Sequence, residues 1–346
     1  MFFHVVLTDE CNLQCRYCYG QAFEDAEDQK PDERFVDVPS EITYDLEDLV
    51  KFLKKSPDAT ITFYGGEPTL RPELIRKVMD MLPERRFMMQ TNGMLLRGVG
   101  VNYLKRFHTI LISVDGKPAI TDGNRGKGVF EAVEKNIQWL RSEGFSGELI
   151  ARMTVMEGND IYDSVTWLLD CGLFDSVHWQ LNANFWDDLG KRNFSGWVKD
   201  SYNPGVKKLA NWWLSEMEKG KVRKIYPFLG ISDLLLHNKT APGILCGAGH
   251  SNFAVATDGT IVPCPVMAGL KEFRLGDIWE TEPSELKSTY AFRLCDRCKD
   301  HDLCGGRCMY GNYMMPWGPS GHELVCDTVR NMLVSLKTII PSVKEL

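Results

Sequence analysis

Three cysteines, Cys11, Cys15 and Cys18, stand within eight residues in TDECNLQCRYCYG (8–20), and no further cysteine follows until Cys171. A structural zinc site closes on four ligands, so three thiolates alone leave a coordination position vacant. Thiolates are also the usual ligands of iron–sulfur clusters. Three of them on a four-iron cluster leave one iron open to an outside ligand, and an open iron is a place for chemistry. The i, i+4, i+7 spacing would equally put the cysteines on one face of a helix, as a buried stripe of small hydrophobes. The polar neighbours Asn12, Gln14 and Arg16 and the following Gly20 argue for a loop instead.

A second constellation fills the C-terminal part: Cys246-x12-Gly259-x4-Cys264, then Cys295-x2-Cys298-x5-Cys304-x3-Cys308, then Cys326. Its middle run, taken alone, is compatible with a zinc module. Seven cysteines exceed the four of one zinc site and fall one short of the eight of two. Cys171, at the end of the apolar run WLLDCGLF, reads as a packed residue.

The elements that must position these residues can be read from patterning. Short apolar runs at 2–8, 60–65, 86–92, 109–115, 148–155 and 176–183 alternate with helical patterns such as PELIRKVMDML and VFEAVEKNIQWLRSEG. Connections of that length predict parallel β/α units, since hairpins need only a few residues. Side chains alternate faces along a strand, and one face is apolar throughout: Phe3, Val5, Leu7, Ile61, Phe63, Ile110, Ile112, Val114, Ala151, Met153, Val155, Val177, Trp179 and Leu181. The other carries His4, Thr62, Tyr64, Gln90, Asn92, Ser113, Asp115, Arg152, Thr154, His178, Gln180 and Asn182. A closed eight-stranded barrel fills its interior with branched apolar residues; here helices cover the apolar face and the polar one lines a wet cavity. The alternative is an antiparallel sheet with one solvated face. The expected fold is therefore α/β, a partial (β/α)6 TIM-like barrel over 1–185, a helical bridge over 186–240 and a Cys-rich domain over 241–346 ending in a helix near 326–340. EDAEDQKPDE (24–33) reads as a solvated loop.

Composition narrows the function classes. The chain has 346 residues, 44% hydrophobic, and a formal net charge of −7 with no dense basic run. Nucleic acid is a poor partner for such a surface. No stretch approaches the roughly 20 apolar residues of a membrane span, and MFFHVVLTDEC lacks the basic and small-residue marks of a secretory signal. Eleven cysteines without those marks argue for metal ligation in a cytoplasmic protein, not for a disulfide framework.

Cys11-x3-Cys15-x2-Cys18, with Tyr17 before the third cysteine, resembles the signature of the radical S-adenosylmethionine superfamily. Gly65-Gly66-Glu67-Pro68 after the second strand resembles that family's loop at the methionine amino group, where glycine lets backbone approach closely. Gln90-Thr91-Asn92-Gly93 and Ser113-Val114-Asp115-Gly116 sit where the family places residues near the methionine carboxylate and ribose. Arg152 suits the carboxylate, since guanidinium matches it bidentately. SVDGKPAITDGNRGKGVFEAV resembles the subgroup of anaerobic sulfatase maturases and peptide-modifying enzymes, and the C-terminal cysteines with Gly259 resemble the SPASM domain of such enzymes.

The resemblance implies S-adenosylmethionine and three [4Fe-4S] clusters. The first is held by Cys11, Cys15 and Cys18. Cys295, Cys298, Cys304 and Cys326 ligate an auxiliary cluster fully, and Cys246, Cys264 and Cys308 ligate the other. Sulfatase-maturing relatives carry an eighth cysteine just before the one matching Cys246, where this chain has TAPGIL. That cluster then has an open iron or a non-cysteine ligand such as His250 or Asp233. The implied mechanism is reductive cleavage to a 5′-deoxyadenosyl radical that takes a hydrogen atom from a peptide or protein side chain, with electrons from a ferredoxin or flavodoxin. The chain starts at its first strand, so leader recognition would fall to a separate leader-binding protein or the barrel rim, or would not be used. His178, Gln180 and Asn182 are candidate substrate or cofactor contacts, and Asp115 is a candidate proton acceptor. A radical enzyme on a small molecule, an iron–sulfur electron carrier and a zinc-binding interaction protein are the competing readings.

Overall fold

The protein is described here from a computed structural model that covers residues 1–20, 33–287, 294, 295 and 297–346. All but the last residue of the acidic stretch 24–33 lies outside the described residues. In chain order the main elements are β1 (Phe2–Val6), α1 (Leu46–Lys54), β2 (Thr60–Tyr64), α2 (Pro72–Met81), β3 (Phe87–Thr91), β4 (Phe107–Ser113), α3 (Val129–Ser142), β5 (Glu148–Val155), α4 (Ile161–Asp170), β6 (Ser176–Leu181), α5 (Asn203–Glu218), α6 (Tyr226–Leu236), β7 (Asn252–Val255), β8 (Thr260–Val262), β9 (Gly276–Asp277) and α7 (Gly318–Lys344). All six expected strands are present, and among the described residues no helix is long and apolar enough to cross a membrane.

The chain forms two compact units, each discontinuous in sequence. The first comprises Met1–Ser113, Asn124–Leu149 and Cys246–Tyr290. Its strands run in the order β4-β3-β2-β1-β7-β8-β9. β1 to β4 are parallel, as the long connections required, and β7 extends them in parallel by pairing Phe2 with Asn252 and Val5 with Val255. β8 and β9 then add as antiparallel strands. The apolar face packs as read: Phe3 meets Phe52 of α1 edge-on at 5.1 Å, and Phe63 stacks on Phe87 at 5.8 Å. Burying each such ring contributes about 1.5–3 kcal/mol. α1 turns Leu49, Val50, Phe52 and Leu53 inward, with Glu47 and Asp48 in its first turn and Lys51 and Lys54 in its last, matching the helix dipole.

The second unit comprises Val114–Gly123, Ile150–Leu245 and Ala291–Leu346. β5 and β6 pair in parallel, setting Arg152 opposite His178 and Thr154 opposite Gln180. α4 follows Asp160, whose carboxylate accepts the Asp163 N–H at 3.0 Å and caps the helix. Phe228 of α6 packs edge-on against Trp179 at 5.3 Å and against Trp213 of α5 at 5.5 Å. α7 is longer than the patterning near 326–340 predicts, because its first turns from Gly318 carry no regular apolar stripe and Pro341 lies inside it. The alternation of β6 also stops one residue early: Leu181 is half-buried and Asn182 is buried, the reverse of the expected faces.

Candidate functional site

In the first unit the loop bearing Cys11, Cys15 and Cys18 is held at both ends and in its middle. At its entry the backbone of Thr8–Glu10 lies against Gly65–Glu67: the Gly66 N–H donates to the Thr8 carbonyl and the Glu67 N–H to the Glu10 carbonyl, both at 2.8 Å. A Cβ on Gly65 would sit 2.2 Å from the Thr8 oxygen, and one on Gly66 would sit 2.3 Å from the Asp9 and Glu10 oxygens. The close backbone approach that these glycines permit is thus to the chain's own cysteine loop.

Glu67 is 1% exposed, and its carboxylate accepts the Thr69 N–H at 2.9 Å, the Thr69 hydroxyl at 2.5 Å, the Thr91 hydroxyl at 2.7 Å and the Asn92 N–H at 2.7 Å. Burial pushes its carboxyl above the usual range, while these donors pull the other way. Pro68 opens the short 3-10 turn that Glu67 caps. Asn92, just past β3, donates from its side-chain amide to Asn12 in the cysteine loop at 2.8 Å. At the exit the Arg16 N–H donates to the Asn124 carbonyl at 3.0 Å, and the buried Tyr17 ring lies under the Arg125 guanidinium at 5.4 Å. Arg71 braces the loop base through ion pairs to Glu10 at 2.6 Å and to Glu41. Ser113 is half-buried at the end of β4.

In the second unit Arg152 donates to the Gln180 side-chain oxygen, so β5 and β6 present one guanidinium with its orientation set. Burial, and then the Arg152 charge, holds His178 well below the usual histidine range, so its imidazole is neutral. Asp115 is fully buried: its carboxylate accepts the Thr154 N–H at 3.0 Å, and its carbonyl accepts the Asn159 side-chain amide at 2.8 Å. Asn182 uses its side-chain oxygen to accept the Asn184 N–H at 3.2 Å, a local turn. Arg152, His178 and Gln180 therefore come together, whereas Asp115 and Asn182 hold backbone.

Cys246 and Cys264 lie in the first unit. Between them Gly259 has φ +84, and an added Cβ would meet the Trp279 ring at 2.7 Å. The other five C-terminal cysteines lie in the second unit, and polar groups are aimed at the sulfurs of four of them. The Gly311 N–H donates to Cys308 Sγ at 3.4 Å, the Asn312 amide points at Cys295 Sγ from 3.9 Å, and His322 Nε2 is 3.4 Å from Cys326 Sγ. The Gly306 and Arg307 N–H groups donate to Cys304. In the cysteine loop of the first unit the Leu13 N–H donates to Cys11 Sγ at 3.4 Å. Among the described residues no disulfide joins the cysteines, and N–H donors on thiols suit cluster ligation. Among the described residues no three His, Cys, Asp or Glu side chains converge on a single metal ion; cluster thiolates bind separate irons and need not converge. Asp233 is engaged in exposed pairs with His237 at 3.0 Å and Lys239 at 3.4 Å, and His250 is exposed. Cys171 is half-buried, its thiol 3.2 Å from the Leu168 carbonyl.

Comparison with known proteins agrees with the cysteine loop. Residues 5–163 match the radical SAM superfamily. The chain carries a radical SAM domain. Over 324 residues the chain is 24% identical to the cysteine-type anaerobic sulfatase-maturating enzyme of Clostridium perfringens, covering 86% of this chain and 85% of that protein. Among solved structures, native anSMEcpe with bound AdoMet and Cp18Cys peptide superposes with a TM-score of 0.76 at 22% identity, covering 99% of this chain and 98% of that one. Streptococcus suis SuiB bound to precursor peptide SuiA gives a TM-score of 0.56 at 14% identity, over 91% of this chain and 72% of that one. These two likenesses show the fold, α/β with a parallel sheet, and the radical SAM match lies in residues 5–163 of it.

Sequence reading missed Asn12, Glu41 and Arg71 around the radical SAM cysteines. Asn12 sits inside the motif and was read only as a polar neighbour. Glu41 and Arg71 are far apart in the chain, and no local spacing joins them.

Proposed function

We propose that this chain is a radical S-adenosylmethionine enzyme that modifies a peptide or protein side chain, beginning with abstraction of a hydrogen atom. The observation that carries the reading is the three-cysteine loop, held against the GGEP and QTNG segments. When bound to a reduced four-iron cluster, S-adenosylmethionine supplies a 5′-deoxyadenosyl radical. Cys11, Cys15 and Cys18 would hold three irons and leave the fourth for the cofactor. The Gly65–Pro68 segment, with Tyr17 and Ser113, would bind it. Arg152, steadied by Gln180, offers the paired donors a carboxylate takes. Neutral His178 beside Arg152 can donate or accept a hydrogen bond to substrate without adding charge.

The peptide substrate is supported by relatives whose names and structures show maturation or peptide binding. The seven C-terminal cysteines would hold two auxiliary clusters that accept an electron from, or bind, the substrate, and a ferredoxin or flavodoxin would be the reductant.

Anaerobic purification followed by iron and sulfide assay, then S-adenosylmethionine with dithionite, tests this. About twelve irons per chain, by the ligation rules above, and release of 5′-deoxyadenosine are expected. Cys15→Ala should abolish that release and lower iron by about four. Zinc in place of iron, or full clusters without cleavage, would overturn the reading.

A further inference from the structure

Asn12 lies between the first two cysteines of the loop, and Asn92 lies at the end of β3. Asn92 is 6% exposed, and each of its polar groups toward this region is committed to the protein. Its backbone N–H donates to Glu67 at 2.7 Å, its side-chain oxygen accepts the Met94 N–H at 3.0 Å, and its side-chain nitrogen donates to Asn12 at 2.8 Å and to the Cys11 sulfur. The turn that carries it is fixed from two sides. Glu67 anchors it by accepting the Thr91 hydroxyl and the Asn92 N–H, and the Asn136 amide of α3 donates to the Gly93 and Met94 carbonyls at 3.0 and 2.8 Å. Gly93 has φ +78 and would meet Ile112 at 3.0 Å if it carried a Cβ, so the turn has one packed conformation. A rigid platform of this kind sets the position of whatever it grips.

We propose that Asn92 and Asn12 form a clamp that fixes the Cys11–Cys15 segment, so that Asn92 is a positioning residue for the open-site cluster and not a direct contact to the cofactor. This rests on the functional reading above, in which these cysteines hold a cluster. It departs from the sequence-based expectation for Asn92, because the side chain is turned to the cysteine loop.

The test uses the reconstituted holoenzyme and three variants. Asn12→Leu removes the acceptor. Asn92→Asp removes the amide donor to Asn12 and to Cys11 and keeps the acceptor for Met94. Asn12→Asp keeps an oxygen opposite Asn92 and serves as the conservative control. The readouts are the rate at which a chelator strips the cluster whose EPR signal changes on adding S-adenosylmethionine, and the cofactor affinity from that same change. Asn12→Leu and Asn92→Asp should each speed stripping about five- to tenfold, roughly what one hydrogen bond is worth. The double variant Asn12→Leu/Asn92→Asp should be no faster than Asn92→Asp, Asn12→Asp should stay near wild type, and cofactor affinity should move in the same direction in both single variants. Multiplying effects, unmoved variants, or weaker cofactor binding in Asn92→Asp alone would overturn the clamp. A wild-type protein with no responsive signal would instead overturn the functional reading and the clamp with it.

Discussion

At the scale of single residues, Gly66 makes the sharpest claim. Its Cβ would strike two carbonyl oxygens at 2.3 Å, and both are backbone that cannot swing aside. Gly66→Ala is expected to cost about 2–4 kcal/mol, read as a lower urea midpoint. Gly98 has nothing within 4 Å of an added Cβ and lies in a short helix, so Gly98→Ala should stabilise by about 0.5–1 kcal/mol. Equal responses at the two sites would sink the steric account. Glu67→Gln should cost about 1–3 kcal/mol in the same assay, because an amide nitrogen would face groups that are themselves donors. The motif cysteines and glycines were legible because their types and spacing are local. Glu67 was legible as a motif residue but not in its role: that its carboxylate faces Thr91 and Asn92 follows from strand order, which spacing does not encode.

Elements set what surrounds the C-terminal sulfurs. The turn after Cys304 reverses at Gly305 (φ +64), where an added Cβ would lie 1.8 Å from the Gly243 carbonyl. That reversal brings the Gly306 and Arg307 N–H groups to Cys304, while α7 places His322 one turn before Cys326. Hydrogen bonds to sulfur raise a cluster's potential by stabilising its more negative reduced state. With its proton on Nε2, His322 donates to Cys326, and His322→Phe should then shift the cluster proposed for Cys295, Cys298, Cys304 and Cys326 about 40 mV negative, from a bond worth about 1 kcal/mol in a one-electron couple. Potentiometric EPR would measure it, and an unmoved or positive shift would count against the assignment. The strands were readable from period-2 patterning, and their apolar faces are buried as read from Phe3 to Trp179. The failure at Leu181 and Asn182 has a local cause: the strand ends there, the Asn182 N–H turns to the Val155 carbonyl at 2.9 Å, and alternation has no further meaning.

Across the whole molecule, the segment after Cys246 does not stand apart from the N-terminal sheet. β7 pairs with β1, and Phe253 packs on Phe3 with ring centroids 6.3 Å apart. Phe253→Ala is expected to lower the stability of the N-terminal sheet by about 3–5 kcal/mol, seen by hydrogen exchange in β1 and β2. Protection unchanged there would favour the division at residue 241 that composition suggests. The sequence by itself determined the parallel β/α order, the apolar and polar faces and the three-cysteine chemistry, because each depends on residues near one another in the chain. Only the tertiary structure decided which loops grip those cysteines, that Asp115 holds the Thr154 backbone, and that β7 completes the edge of β1. Those outcomes depend on hydrogen bonds between segments tens to hundreds of residues apart, and no local period or spacing records such pairings.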